Sequence, residues 1–237
     1  IRALMKPEEM YQLEPKKIRL HRFLLFSILT IGLPAGFQSM MYNIANIIIQ
    51  SSLNHLGTDA MAAYTAFGKM DAFYWMISGA FSVSIATFVG QNYGAGKMNR
   101  VRKGYHASLW TVGIWGLIIT LVFVFAPNTI ATIFFHEPKA ITIAVGYLII
   151  IGFSEGFMCI ELTTIGALSG LGMTRLCSII SIIFTGSRIP LAIFLKNTSL
   201  GLHGIWWAFS STSIIKGIIF VCVFFWVTRK QTYETTM

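Results

Sequence analysis

Charge is scarce in this sequence. Only 11% of its 237 residues are Asp, Glu, Lys or Arg, against roughly a quarter in soluble domains. With 55% hydrophobic residues and a mean hydropathy of +0.68, that scarcity excludes a water-soluble fold. Cysteine is sparse too. Cys159, Cys177 and Cys222 stand singly in apolar stretches, with no CxxC pair and no Cys/His cluster. Neither a disulfide framework nor a zinc site is supported, and buried small hydrophobes are expected. No HExxH, Ser/His/Asp arrangement or paired-carboxylate hydrolase motif occurs, so nothing argues for an enzyme. The run GQNYGAGK at 90–97 lacks the GxxxxGK[ST] spacing of a P-loop and follows an apolar helix rather than a strand, which argues against nucleotide binding. No signal peptide is visible, and the chain begins at Ile1 rather than Met, as expected of a piece of a longer protein.

What the sequence does have is apolar length and a basic excess. The net charge is +9, but the basic residues cluster at the ends of apolar runs. Phospholipid headgroups at a bilayer surface explain that placement better than nucleic acid does. Crossing a hydrocarbon core takes about 20 helical residues. Runs of that length fall at 23–53, 60–89, 105–126, 141–171, 176–195 and 204–227. The expected fold is all-α, a polytopic six-transmembrane-helix bundle over 23–228. Residues 1–22 read as a polar cytoplasmic linker tail, and 229–237 as a cytoplasmic C-terminal tail. A turn is expected at 134–138. Of the 18 Lys and Arg residues, thirteen lie in 1–22, 97–103, Arg175 and Arg229-Lys230, while Lys139 and Lys196 stand on the other side. That asymmetry places both termini in the cytoplasm of a cell whose inner membrane holds the protein, with 54–59 outside.

Polar groups inside the spans are the candidates for function. In the first span Pro34 removes a helix hydrogen bond and is a candidate hinge. Beyond it, Ser39, Asn43, Asn46 and Gln50 recur at spacings of 4, 3 and 4 with Tyr42 beside them, which places them on one helix face. Such a stripe is either interhelical glue or a cavity wall. Six ionisable residues lie within spans: Lys69, Asp71, Glu155, Glu161, Arg188 and Lys216. Each costs at least about 2.5–3.5 kcal/mol at the centre of a membrane helix, so such groups face a bundle interior or a watery cavity. Three are basic and three acidic, so they can neutralise one another in fixed pairs, or a carboxylate among them can take up a coupling ion.

Depth selects partners. At 1.5 Å per residue, Glu161 lies roughly 16 Å from the cytoplasmic end of its span, and Lys216 and Arg188 each roughly 18 Å from theirs. Glu161 is thus expected to pair with Lys216 or Arg188. Glu155 lies nearer the midplane, where no basic residue matches it closely, and is expected to titrate. The two acids are six residues apart and point about 120° apart on the helix, which predicts that they do not share one cavity.

Five motifs in order carry a family resemblance: GLPAG at 32–36 with Gln38, VGQNYGAGK at 89–97 with Arg100 and Arg102, GALSGLG at 166–172, RIPL at 188–191, and GLHGIWWA at 201–208. Together they resemble the C-terminal half of a multidrug and toxic compound extrusion (MATE) transporter. The resemblance implies a secondary transporter of twelve helices in two six-helix lobes, exporting small organic cations against a proton or sodium gradient, without a cofactor beyond that coupling ion. It also implies that an N-terminal six-helix lobe, or a second copy of this one, completes the molecule in the lipid bilayer. Two departures stand out. Some members carry a coupling carboxylate in the helix matching the first span, where this chain has Tyr42 and no acid. The arginine often found before the glycines that close the fourth helix is Ser169 here. The alternatives are a lipid-linked oligosaccharide flippase of the same superfamily, which a wide basic cavity would favour, and a non-transporting membrane assembly subunit.

Overall fold

The structure, a computed structural model, describes residues 19, 21–54 and 58–236. The expected linker tail therefore lies almost wholly outside the described residues. Six long helices and one short one follow in order: α1 (Arg22–Asn54), α2 (Thr58–Gly94), α3 (Met98–Phe125), α4 (Pro127–Phe134), α5 (Pro138–Gly170), α6 (Thr174–Lys196) and α7 (Leu202–Thr236). Among the described residues, α1, α3, α5, α6 and α7 are long and apolar enough to cross a membrane, and α2 has the length at 37 residues. Their outer faces carry Phe26, Trp110, Ile183, Phe194, Ile218 and Trp226, all more than a third exposed. That surface is suited to hydrocarbon, where a helix satisfies its own backbone.

Three boundaries differ from expectation. Gly90–Gly94 do not break the second span, because α2 stays helical to Gly94 and turns only at residues 95–97. The close approach of α2 to α5 there depends on Gly170, where a Cβ would sit 2.6 Å from the Ala86 carbonyl oxygen and 3.1 Å from Gly90 N. The expected turn at 134–138 shrinks to 135–137, because Pro127 sits in the first turn of the additional helix α4, where its missing N–H costs nothing. Residues 229–236 continue α7 instead of leaving it as a tail. The ends of α2 and α5 share one device. Gly96 (φ 71°) and Gly172 (φ 80°) adopt the left-handed conformation, and the next residue's N–H reaches back five residues, Lys97 to Asn92 O at 2.8 Å and Met173 to Leu168 O at 3.0 Å. This is the Schellman closure, which favours glycine because it carries no Cβ.

Helix α5 is the hub, packed against α2, α3 and α7, while α1 packs mainly on α6. Without a hydrophobic force between helices in lipid, close approach and hydroxyl bonds must hold the bundle. Both are present. A Cβ on Gly166 would sit 2.2 Å from the Ser82 carbonyl oxygen, and one on Gly116 would sit 2.6 Å from the Gly156 Cα. Ser82 donates to Leu162 O (2.8 Å), Thr120 to Gly152 O (2.8 Å) and Ser210 to Ile150 O (2.6 Å), all on α5. Gly166→Val should therefore push α2 from α5 and cost at least about 1–3 kcal/mol, the usual range for overpacking. Thermal unfolding in detergent checks this; an unchanged midpoint would contradict the contact.

Two apolar layers cap the lobe. One gathers Ile49, Ala144, Leu148, Ile151, Ala192 and Ile205, the other Val89, Tyr105, Leu168, Cys177, Phe220 and Phe224. Between them α5, α6 and α7 contribute a buried polar belt: Ser154 to Thr164, Ser181 to Arg188, and Ser210 to Lys216. Cys159 and Cys177 are buried as expected, whereas Cys222 is exposed on α7. The cysteine expectation holds for two of the three, because Cys222 falls on the outward face of its helix.

Candidate functional site

The polar belt opens onto a cavity of about 780 Å³. Helix α1 contributes Ser39, Tyr42, Asn43, Asn46 and Gln50, so its polar stripe is a cavity wall. Asn43 Nδ2 donates to Ser39 O one turn back at 2.8 Å, which fixes part of that wall within α1 itself. Helix α5 contributes Glu155, Met158 and Glu161; α6 contributes Thr185 and Arg188; α7 contributes Ser213 and Lys216. Nine of the sequence-selected residues, from four different helices, thus meet at one place. The side chains of Lys69 and Asp71 lie outside the described residues. Pro34 lies inside α1, which runs through it without a break, and it is not part of the cavity wall.

Glu155 and Glu161 both line this cavity, against the expectation that they part. The physical reason is the width of the α5 face. Tyr147, Ile151, Ser154, Met158, Leu162 and Ile165 form a stripe along it, and Glu155 and Glu161 lie about 60° to either side of Met158. The 120° between them spans the wall rather than separating two environments.

Of the four described charges on the cavity, two form a direct ion pair. Lys216 Nζ lies 2.8 Å from Glu161 Oε1, one of the two ion pairs that equal depth allows. Arg188 instead turns to α7, where Nε donates to Thr212 Oγ1 and Nη2 to Ser213 Oγ, each at 3.1 Å, and its guanidinium lies 4.4 Å over the Phe209 ring. Glu155 is 1% exposed. Its backbone carbonyl accepts the Tyr74 hydroxyl from α2, beside Cys159 Sγ, which lies 2.7 Å from Tyr74 and 3.0 Å from Ser78 Oγ.

Sequence reasoning missed the aromatic lining. Tyr64, Trp75, Tyr147, Trp206 and Phe209 complete the walls, with Trp75 6.1 Å from Tyr42 and Trp206 edge-on to Tyr147 at 5.3 Å. The 4, 3, 4 recurrence from Tyr147 through Ile151, Ser154 and Met158 was the available signal. It resembles an ordinary buried stripe until a polar stripe is known to face it.

Comparison with known proteins identifies the family and the fold. The MatE family model matches residues 34–194, which run from the candidate hinge through Arg188. The chain belongs to the MATE family. A MATE-type relative from Thermotoga maritima, named "Probable multidrug resistance protein NorM", is 31% identical over 188 residues, covering 76% of this chain and 39% of that protein. "Probable multidrug resistance protein YoeA" of Bacillus subtilis is 23% identical over 217 residues, covering 90% of this chain and 47% of its own. A MATE crystal structure in the bent conformation superposes with a TM-score of 0.86 at 15% identity, over 97% of this chain and 51% of that one. The chain thus spans about half the length, or less, of these MATE relatives. The all-α MATE fold of a multi-pass membrane protein follows, and the family is one of transport proteins rather than enzymes.

Proposed function

We propose that this chain is one six-helix lobe of a secondary active transporter that exports small organic cations by antiport with H⁺ or Na⁺. It would sit in the cytoplasmic membrane with both termini inside, opposite another six-helix lobe or a second copy. One observation carries the reading: the cavity gathers Tyr42, Asn43, Asn46, Gln50, Glu155, Glu161, Arg188 and Lys216 between two apolar layers. Its aromatic walls suit a cation, since a ring face attracts positive charge by about 0.5–2 kcal/mol. Its described charges balance, two acids against two bases, which fits a flippase for anionic lipid-linked sugars poorly. Lys69 and Asp71 on α2 belong to the same pathway in this reading, and Pro34 is its hinge.

Flux of a cationic dye from proteoliposomes containing the full-length protein tests the proposal. An imposed proton or sodium gradient should drive dye transport. Pro34→Ala, which restores the helix hydrogen bond, should slow it at equal expression. Dye movement that ignores both gradients would overturn antiport, and unchanged flux in Pro34→Ala would remove the hinge.

A further inference from the structure

The Glu161–Lys216 pair bears on which ion can occupy the cavity. Lys216 Nζ is 2.8 Å from Glu161 Oε1, and the two side chains are 10% and 7% exposed. A buried carboxylate keeps its charge only when a cation or several donors face it closely, and here the ammonium on α7 supplies that cation. The other charged and titratable groups around the pair do not take its place. Arg188 on α6 also feels the Glu161 charge, but its hydrogen bonds go to Thr212 and Ser213 and its guanidinium lies over the Phe209 ring, so the direct contact to the carboxylate is that of Lys216. Tyr42 on α1, Tyr64 on α2, and Tyr147 and Glu155 on α5 line the cavity, and Lys69 and Asp71 on α2 lie outside the described side chains.

A hard cation such as sodium would have to share the single negative charge of Glu161 with the Lys216 ammonium already 2.8 Å from Oε1. Two cations against one buried carboxylate repel strongly in a medium of low dielectric. We propose that the Lys216 ammonium is a built-in counter-cation that fills the sodium position at Glu161, so that this lobe takes no sodium at that carboxylate and removing the lysine creates a sodium site. The inference rests on the transport reading only for its functional meaning. It deepens that reading by excluding Glu161 as a sodium-coupling carboxylate, which leaves ion coupling to another group of the cavity.

The test compares thermal unfolding of the purified full-length protein in sodium and in choline at equal ionic strength. The wild-type midpoint should be the same in both. Lys216→Met should unfold early in choline and regain about 3–6 °C for each tenfold rise in sodium above its dissociation constant. The double variant Glu161→Gln/Lys216→Met, neutral at both positions, should again ignore sodium. A sodium-dependent rise in the wild type that Glu161→Gln removes would overturn the proposal. So would a Lys216→Met protein that fails to fold even in sodium, because sodium should replace the lost ammonium. Dye flux separates the two claims: a wild type that moves no dye under either gradient counts against transport, while the sodium comparison still decides the role of Lys216.

Discussion

Glu161→Gln is expected to lower the yield of folded protein sharply. The substitution removes the negative partner of a buried ammonium while leaving Lys216 where it stands, 8% exposed in the polar belt. Breaking a buried pair by deleting one member costs about 3–5 kcal/mol, against total stabilities of roughly 5–15 kcal/mol. The remaining neighbours do not restore the balance, because Arg188 adds further positive charge to the same cavity. Lys216→Met should cost a similar amount in the absence of added cation, for the mirror reason. The double variant should recover much of the loss, since two neutral side chains of similar volume leave no stranded charge. Size-exclusion profiles and unfolding midpoints of the three proteins measure this. A Glu161→Gln protein as stable as wild type would mean that the ion pair contributes nothing to the bundle.

Much of this architecture was legible in the sequence because a bilayer imposes strict rules. Six apolar runs became six long helices, since a single span in hydrocarbon must pair its backbone groups within itself. The Ser39–Asn43–Asn46–Gln50 recurrence placed one wall of the cavity, because side-chain direction in a helix follows spacing alone. Equal depth narrowed the partner of Glu161 to Lys216 or Arg188 for a related reason: rise per residue converts position into height.

The rest depended on which helices are neighbours, and spacing is silent on that. Arg188 was an equally good partner for Glu161 by depth, yet it meets Thr212 and Ser213 because α6 packs against α7 far more than against α5. Gly90 looked like a break, since glycine weakens helices in water. Between membrane helices it instead lies against Gly170 of α5, and the missing side chain of Gly170 is what permits the contact. The separation of Glu155 from Glu161 failed because the angle between two side chains says nothing about the width of the wall that holds them.

Glu155→Gln should leave the protein folded and abolish gradient-driven export. The residue lies at the opposite edge of the α5 stripe from Glu161, 1% exposed and on the cavity wall. Its position is anchored through its backbone, whose carbonyl accepts the Tyr74 hydroxyl from α2. That anchor does not involve the carboxyl group, so a carboxamide of the same shape keeps it. The substitution also replaces an acid that is costly to charge inside a membrane with a group that cannot ionise. Under the proposed antiport, what is lost is the ability to take up and release a proton during the cycle, a role ionisable groups in membrane spans commonly serve. Substrate binding should survive, because the aromatic walls from Tyr42 and Trp75 to Trp206 and Phe209 are untouched. Dye flux under a proton gradient, dye binding and folded yield should be measured side by side for Glu155→Gln and Glu161→Gln. The expected result is a stable, binding, non-exporting Glu155→Gln beside a poorly folded Glu161→Gln. A stable but inactive Glu161→Gln beside an actively exporting Glu155→Gln would exchange the two roles and make the lysine-paired acid the one that couples transport to the gradient.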